Sequence, residues 1–257
     1  MINTWIAATM VAAVAGIVGF FVVIRGASFA AHALPLGTFP GAAGASLLGV
    51  NPLFGLLVFS GLGVIGISQL GKLGRQEVAT ALSLVTLLGV GALFLSMSSE
   101  YSQATFALLF GEVLGVSSSD LAPVATVSAV SIALIALLFR PLLLSSVSPE
   151  LGEARGISAA RMELLFLTIV ALATAMAVPI VGTLLVFSLM VGPASAARAL
   201  TDRPFRAILL SAAISLVIIW AAITLSFVSN WPIGFFVGGL GAVAYVAGRT
   251  WKTCLRR

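Results

Sequence analysis

The sequence predicts an all-α fold, a polytopic transmembrane helical bundle of eight or nine spans, as a single membrane domain over residues 1–257. Of its 257 residues, 60% are hydrophobic and only 8% are charged, against about 25% charged in an ordinary soluble domain. The mean hydropathy is +1.19. Apolar runs reach about 20 residues, the length that a helix needs to cross a bilayer. No alternating strands typical of a transmembrane barrel appear.

The apolar runs predict the spans in chain order. Expected spans cover residues 4–24, 53–70, 78–97, 121–139, two within 164–197, 207–228 and 233–248. The long run 164–197 is expected to divide because Pro179, Gly182, Gly192 and Pro193 interrupt it. The apolar patch 106–114 is too short to cross and is expected to form an interfacial or re-entrant helix.

Residues 26–41 differ from the other apolar segments because glycine and proline interrupt them repeatedly. Irregular backbone at membrane depth is tolerated only where protein or a water-filled cavity surrounds it. We therefore expect this stretch to be an irregular segment that lines a pathway.

The positive charges predict the topology. The basic segments 72–77, 140–161, 198–206 and 249–257 are placed in the cytoplasm, because cytoplasmic loops carry an excess of Lys and Arg. Residues 98–120 and 229–231 then face outside. The side of the N-terminus depends on Arg25 alone and stays open. The net charge of +5 is thus explained by a multi-pass protein of the cytoplasmic (inner) membrane in contact with lipid, and no nucleic-acid partner is expected.

The longest polar loop, 145–161, is expected to hold a short cytoplasmic helix. Pro149 suits the first turn of a helix, and the Glu150 carboxylate suits a helix N-terminus. A short helix between two spans is a place where a soluble partner acts on the bundle.

His32 is the sole histidine, and Cys254 is the sole cysteine. One cysteine excludes an internal disulfide and a cysteine-based zinc site within one chain. An ionisable side chain within a membrane segment is a functional candidate, and imidazole is the commonest nitrogen ligand of transition metals. The alternative is a neutral histidine that hydrogen-bonds to backbone inside the bundle.

Several stretches, in this order, resemble the manganese/zinc/iron-chelate permease family of bacterial ABC importers. They are Arg25–Gly44, Leu109–Asp120, Ser148–Ile157, Val181–Arg203 and Pro232–Gly234. Each stretch alone is a weak match, and the ordered set is specific. The set extends over nearly the whole chain.

The resemblance implies a metal-handling role for the first of these stretches. The family pattern resembles Asp-Ala-x-Ser-His-x-x-x-Pro-Gly, whose Asp and His are thought to gate the metal path. Anchored on the Pro-Gly pair at 40–41, this chain has His32 at the Asp position and Leu36 at the His position. His32 is thus the expected transient metal ligand, with Ser28 and Thr38 as helpers. Imidazole in place of a carboxylate suits Zn²⁺ better than Mn²⁺.

The resemblance also implies the partners. The loop stretch resembles the family's coupling helix, which docks on an ABC ATPase. The coupling residues are expected to be Pro149, Glu150, Leu151, Gly152, Glu153, Ala154, Arg155 and Gly156. Family members combine two permeases, here expected as a homodimer, with two ATPases and an extracytoplasmic metal-binding protein. The chain itself is expected to catalyse no reaction and to hold no tightly bound cofactor, since the divalent metal is its cargo.

Other functions stay open beside a zinc permease. Within the class, the alternative is a manganese or ferrous-iron permease. From another class, a proton-coupled secondary carrier would bury acidic relay residues in its spans, yet every acidic residue except Glu112 lies at a predicted loop or span end. A membrane scaffold without transport is disfavoured by the interrupted segment 26–41.

Overall fold

The computed structural model describes residues 2–97 and 116–255, and within these residues every regular element is an α-helix. The helices are α1 (Ile2–Ile24), α2 (Ser28–Leu48), α3 (Pro52–Gly71), α4 (Gln76–Ser96), α5 (Ser118–Val147), α6 (Pro149–Ala154), α7 (Ala159–Val181), α8 (Thr183–Leu200), α9 (Pro204–Ser229) and α10 (Ile233–Leu255). Seven of them are long and apolar enough to cross a membrane, and α8 includes a shorter apolar helix. The all-α, multi-pass prediction is confirmed. The expected short helix at 106–114 and the Glu112 side chain lie outside the described residues.

The expectation of irregular backbone over 26–41 is wrong, because α2 is continuous from Ser28 to Leu48 with two prolines inside it. Proline removes one backbone donor but is tolerated in a membrane helix that other helices enclose. Helices α3, α4 and α8 pack around α2. Thr38 Oγ1 donates to the Pro35 carbonyl oxygen at 2.7 Å within this buried stretch.

Two other expected boundaries give opposite results. The division of 164–197 is confirmed, and it falls at Gly182, whose φ of 88° and ψ of 152° suit only glycine. The expected end of the fourth span at 139 is wrong, because α5 continues through Arg140 and Pro141 to Val147. Its last turn is held by hydrogen bonds from Arg25 to the hydroxyl groups of Ser145 and Ser146.

The helices pack most closely where glycine has no room for a side chain. A Cβ on Gly41 would overlap the carbonyl oxygen of Gly55, and a Cβ on Gly19 would overlap that of Met190. Helix association in lipid depends on such close approach. Helices α1 and α7 form the centre of the bundle. In their most apolar 18-residue stretches, 67% and 72% of the residues are buried.

Nine of the ten described helices run between the two ends of the bundle, and α6 is the exception. Helix α2 runs parallel to α4, because Gly37 faces Leu87 and Gly44 faces Phe94. Helix α8 runs parallel to α10, because Leu185 faces Gly234 and Ala196 faces Gly248. The segments 25–27, 72–75, 148–158 and 201–203 and the end of α10 therefore share one end, which we call the basic end. Of the 13 Lys and Arg residues, 11 are described (13 less Arg256 and Arg257), and all 11 lie at this end or within two turns of it.

This arrangement predicts that the beginning of α1 faces outside while the end of α10 faces the cytoplasm. In a Cys254→Ser background, single cysteines placed at Val50 or Trp231 should react with a membrane-impermeant maleimide on intact cells. Cysteines at Leu73 or Arg155 should react only after the membrane is opened, because basic loops stay in the cytoplasm. Labelling of Leu73→Cys in intact cells would contradict this orientation.

Candidate ion path and coupling loop

The candidate metal ligand His32 lies on α2, four residues beyond the first residue, or about 6 Å along the helix axis. The imidazole is partly exposed, and its Nδ1 atom is buried without a hydrogen-bond partner. Its ring meets the ring of Phe187 on α8 edge-on, with centroids 5.1 Å apart. Nδ1 therefore makes no hydrogen bond to backbone, and the alternative of a neutral histidine that hydrogen-bonds to backbone inside the bundle stays a prediction for its other nitrogen.

The partly exposed residues of α2 form a stripe at helical spacing. Ser28, His32 and Leu36 are four residues apart and all partly exposed, so they lie along one side of the helix. On α8, Phe187, Val191 and Ser195 are partly exposed at the same spacing, and Phe187 contacts His32. We call the two rows together the α2–α8 stripe.

The two expected helper residues differ in position. Ser28 lies on the α2–α8 stripe together with His32. Thr38 lies six residues beyond His32, which places it about 240° around the helix. It is fully buried, and its hydroxyl donates to Pro35. The structure therefore brings Ser28 to the candidate ligand and directs Thr38 away from it.

Backbone oxygens add acceptors near His32. Proline has no N–H, so Pro35 and Pro40 leave the carbonyl oxygens of Ala31 and Leu36 without the usual donor four residues on. Among residues 2–97 and 116–255, no group of three or more His, Cys, Asp or Glu side chains comes together.

The loop predicted for coupling contains a helix of six residues, α6, at the basic end. Pro149 occupies its first turn together with Glu150, and Gly156 closes it at a φ of 77°. Within α6 only Gly152 is buried, and it packs on α5, where a Cβ would come within 3.7 Å of Ser145 Cα. The remaining predicted coupling residues are exposed, including Leu151 at 58%. The helix therefore presents nearly its whole surface outside the bundle.

The sequence analysis missed a polar cluster at the basic end. The guanidinium of Arg25 donates to Glu163 Oε2 at 2.9 Å, to Ser145 Oγ at 3.0 Å and to Ser146 Oγ at 3.2 Å. Gln76 donates to the other oxygen of Glu163 at 3.5 Å. We call these five residues the Arg25 cluster. Arg25 and Glu163 are 138 positions apart, so only the charge of Arg25 within an apolar region was visible in the sequence.

Known proteins resemble this chain over nearly its whole length. The manganese import system permease protein ScaB of Streptococcus pneumoniae is 30% identical over 81% of this chain and 75% of its own. The manganese transport system membrane protein MntC of Listeria monocytogenes is 28% identical over 88% and 81%. The high-affinity zinc uptake system membrane protein ZnuB of Buchnera aphidicola is 24% identical over 89% and 88%.

Solved structures share the fold. A structure described as PsaBC from Streptococcus pneumoniae in complex with Fab aligns with a TM-score of 0.88 at 24% identity, over 99% of this chain and 94% of that one. The spans and the permease relatives together make the chain a multi-pass protein of the cytoplasmic membrane. The model of the ABC 3 transport family matches residues 1–250. The chain therefore belongs to the ABC 3 transport family.

Proposed function

We propose that the chain is the membrane-spanning permease subunit of an ABC importer that carries a divalent metal ion, Zn²⁺, into the cell by alternating access. A separate ATPase supplies the energy, and an extracytoplasmic binding protein delivers the ion. The observation that carries the proposal is the unpartnered Nδ1 of His32 on α2, a helix that packs on the candidate spans α3 and α4, in a chain of this family. The relatives' names, which describe manganese, zinc and chelated-iron transport, support the metal class.

The exposure of His32 supports a place on the ion path. An imidazole with a free nitrogen is costly against lipid, and ionisable groups in membrane segments face the bundle interior or a water-filled cavity. Yet the α2–α8 stripe is only partly covered within one chain. A second copy of the chain, packed against this stripe, would enclose the path and place two imidazoles beside one ion.

The ligands available there suit transit rather than storage. A closed zinc site uses about four protein ligands, whereas two copies supply two imidazoles, with the Ser28 hydroxyl, the carbonyl oxygen of Leu36 and water to complete a loose shell. Weak, multiple contacts let an ion enter and leave a path.

The choice of Zn²⁺ follows from ligand chemistry. Imidazole suits zinc, whereas Mn²⁺ prefers carboxylate, carbonyl and water oxygens. The second candidate is Mn²⁺, because several of the similar relatives carry manganese in their names. Those names describe proteins that are 28–30% identical to this chain.

Replacing the imidazole should stop transport. In proteoliposomes containing the permease, its ATPase and its loaded binding protein, His32→Ala should lower zinc uptake at least about tenfold, the scale of loss seen when a metal site's support is removed. Ser195→Ala, a small change on the same stripe, serves as the control. A His32→Ala variant that assembles and carries zinc at the wild-type rate would instead make this a structural histidine.

The side chain at position 32 should determine which metal ion is transported. We expect a tenfold excess of Zn²⁺-loaded binding protein to suppress Mn²⁺ uptake, and the reverse excess to have little effect. The preference should reverse in His32→Asp, so that excess Mn²⁺ suppresses Zn²⁺ uptake, because a carboxylate favours the harder ion. Preferential Mn²⁺ uptake by the wild-type complex would select the manganese permease. Uptake that a proton ionophore abolishes while ATP is present would select the secondary carrier.

The exposed surface of α6 should be needed for ATP-driven transport. Leu151→Asp places a charge on a 58%-exposed apolar side chain and should prevent ATPase docking, measured by co-purification and by ATP hydrolysis that responds to loaded binding protein. Leu73→Asp, on an 85%-exposed side chain in another loop of the basic end, should retain both. Full coupling in Leu151→Asp, or in a variant lacking residues 150–156, would contradict docking through α6.

A further inference from the structure

We infer that Arg25 is a positioning residue that transmits movement of the α6 loop to the helix that carries His32. The inference rests on the proposed function and adds to it a specific route between the ATPase contact and the ion path. The route consists of the Arg25 cluster, because its members lie at the ends of α4, α5 and α7 and in the connection that leads to α2.

The first step joins α6 to α5. Gly152 is the buried residue of α6, and it packs on Ser145 in the last turn of α5. Two residues separate Ser146 from the start of α6 at Pro149. A displacement of α6 therefore acts directly on the two hydroxyl groups that Arg25 contacts.

The second step joins α5 and α7 to Arg25. One guanidinium nitrogen serves both serines and the other serves Glu163, while the guanidinium carbon lies 4.9 Å from the ring centroid of Phe166 on α7. Arginine holds several partners in a fixed planar geometry, and lysine does not. Arg25 is thus bound to α5 and to α7, the two helices that flank the α6 loop, and a shift of either helix displaces its side chain.

The third step joins Arg25 to His32. Arg25 follows α1 directly, and only residues 25–27 separate α1 from α2. Gly26 has a φ of 66°, and the Ala27 N–H bonds to the Val22 carbonyl oxygen at 3.0 Å, which closes the end of α1. Because the connection is this short and closed, a pull on the Arg25 side chain acts on the first turns of α2.

Burial distinguishes this ion pair from the Arg75–Glu77 and Lys252–Asp202 pairs. The Arg25 and Glu163 side chains are 11% and 32% exposed, against 82% and 76% for Arg75 and Glu77. Exposed pairs contribute little because water and salt screen them. Beside the Arg25 cluster lies a cleft of about 610 Å³, lined by residues of α2, α4, α5 and α7. The helix ends around the cluster therefore have room to shift. The Arg25–Glu163 pair is buried enough to keep α1 and α7 aligned as they do so.

The test compares Arg25→Gln with Arg75→Gln in the full complex of permease, ATPase and binding protein. Both variants remove one positive charge at the basic end. We expect Arg25→Gln to keep ATP hydrolysis but to lower the zinc ions carried per ATP at least about fivefold, the lower bound of typical coupling effects. Arg75→Gln should match the wild type. Arg25→Lys should give an intermediate ratio, and exchange of the charges, Arg25→Glu with Glu163→Arg, should recover at least half of it.

A second readout does not depend on the cargo. In a Cys254→Ser background, Leu36→Cys reports the accessibility of the α2–α8 stripe to a maleimide with and without a non-hydrolysable ATP analogue. The nucleotide should change the labelling rate in the wild-type complex and not in Arg25→Gln. A response that survives Arg25→Gln, or a zinc-to-ATP ratio equal to that of Arg75→Gln, would overturn the inference. A nucleotide response that is present in the wild type and lost in Arg25→Gln, in a complex that carries neither zinc nor manganese, would contradict the proposed cargo and support the role of Arg25.

Discussion

The absence of water in the bilayer is the constraint on which this structure depends. Helices in lipid gain nothing from burying apolar surface against one another, so close packing of their backbones holds them together. Gly19 against the Met190 carbonyl and Gly41 against that of Gly55 have no space for even a methyl group. These contacts set the distances between α1 and α8 and between α2 and α3, and they thereby fix the position of the α2–α8 stripe.

The same constraint sorts the polar side chains. The described Lys and Arg residues lie at or near the basic end, where water is available. Arg25 is buried more than the cations of the Arg75–Glu77 and Lys252–Asp202 pairs, and it has hydrogen-bond partners on α5 and α7. His32 is the contrast, because its Nδ1 is buried and unpartnered, whereas the side chains of the Arg25 cluster are hydrogen-bonded to one another. A polar atom left unsatisfied in such an environment costs free energy, and under the proposed function a passing cation would be its partner.

The spans, the glycine break in 164–197 and the short helix at Pro149 could be predicted, because hydropathy, helix-breaking residues and capping preferences are local properties of the chain. The continuity of α2 could not, since proline is tolerated only when neighbouring helices enclose it, and that is a tertiary property. For the same reason α5 exceeded its expected length, because a residue 120 positions away holds its last turn. His32 was visible as a lone imidazole, whereas the pairing of Arg25 with Glu163 required the fold.

Under the proposed function, the position of His32 limits the kind of motion that can gate the path. It lies about 6 Å along the axis from the start of α2, whereas the far end of the helix lies about 30 Å from that start. A tilt of α2 about its connection to α1 would therefore move the far end by several times more than His32. Rotation of α2 about its own axis is different, because it turns Ser28, His32 and Leu36 together towards or away from the path. Arg25 lies in the three-residue connection before α2, and under the role inferred for it, its displacement would turn the first turns of α2. The ion path would then open and close by turning the stripe.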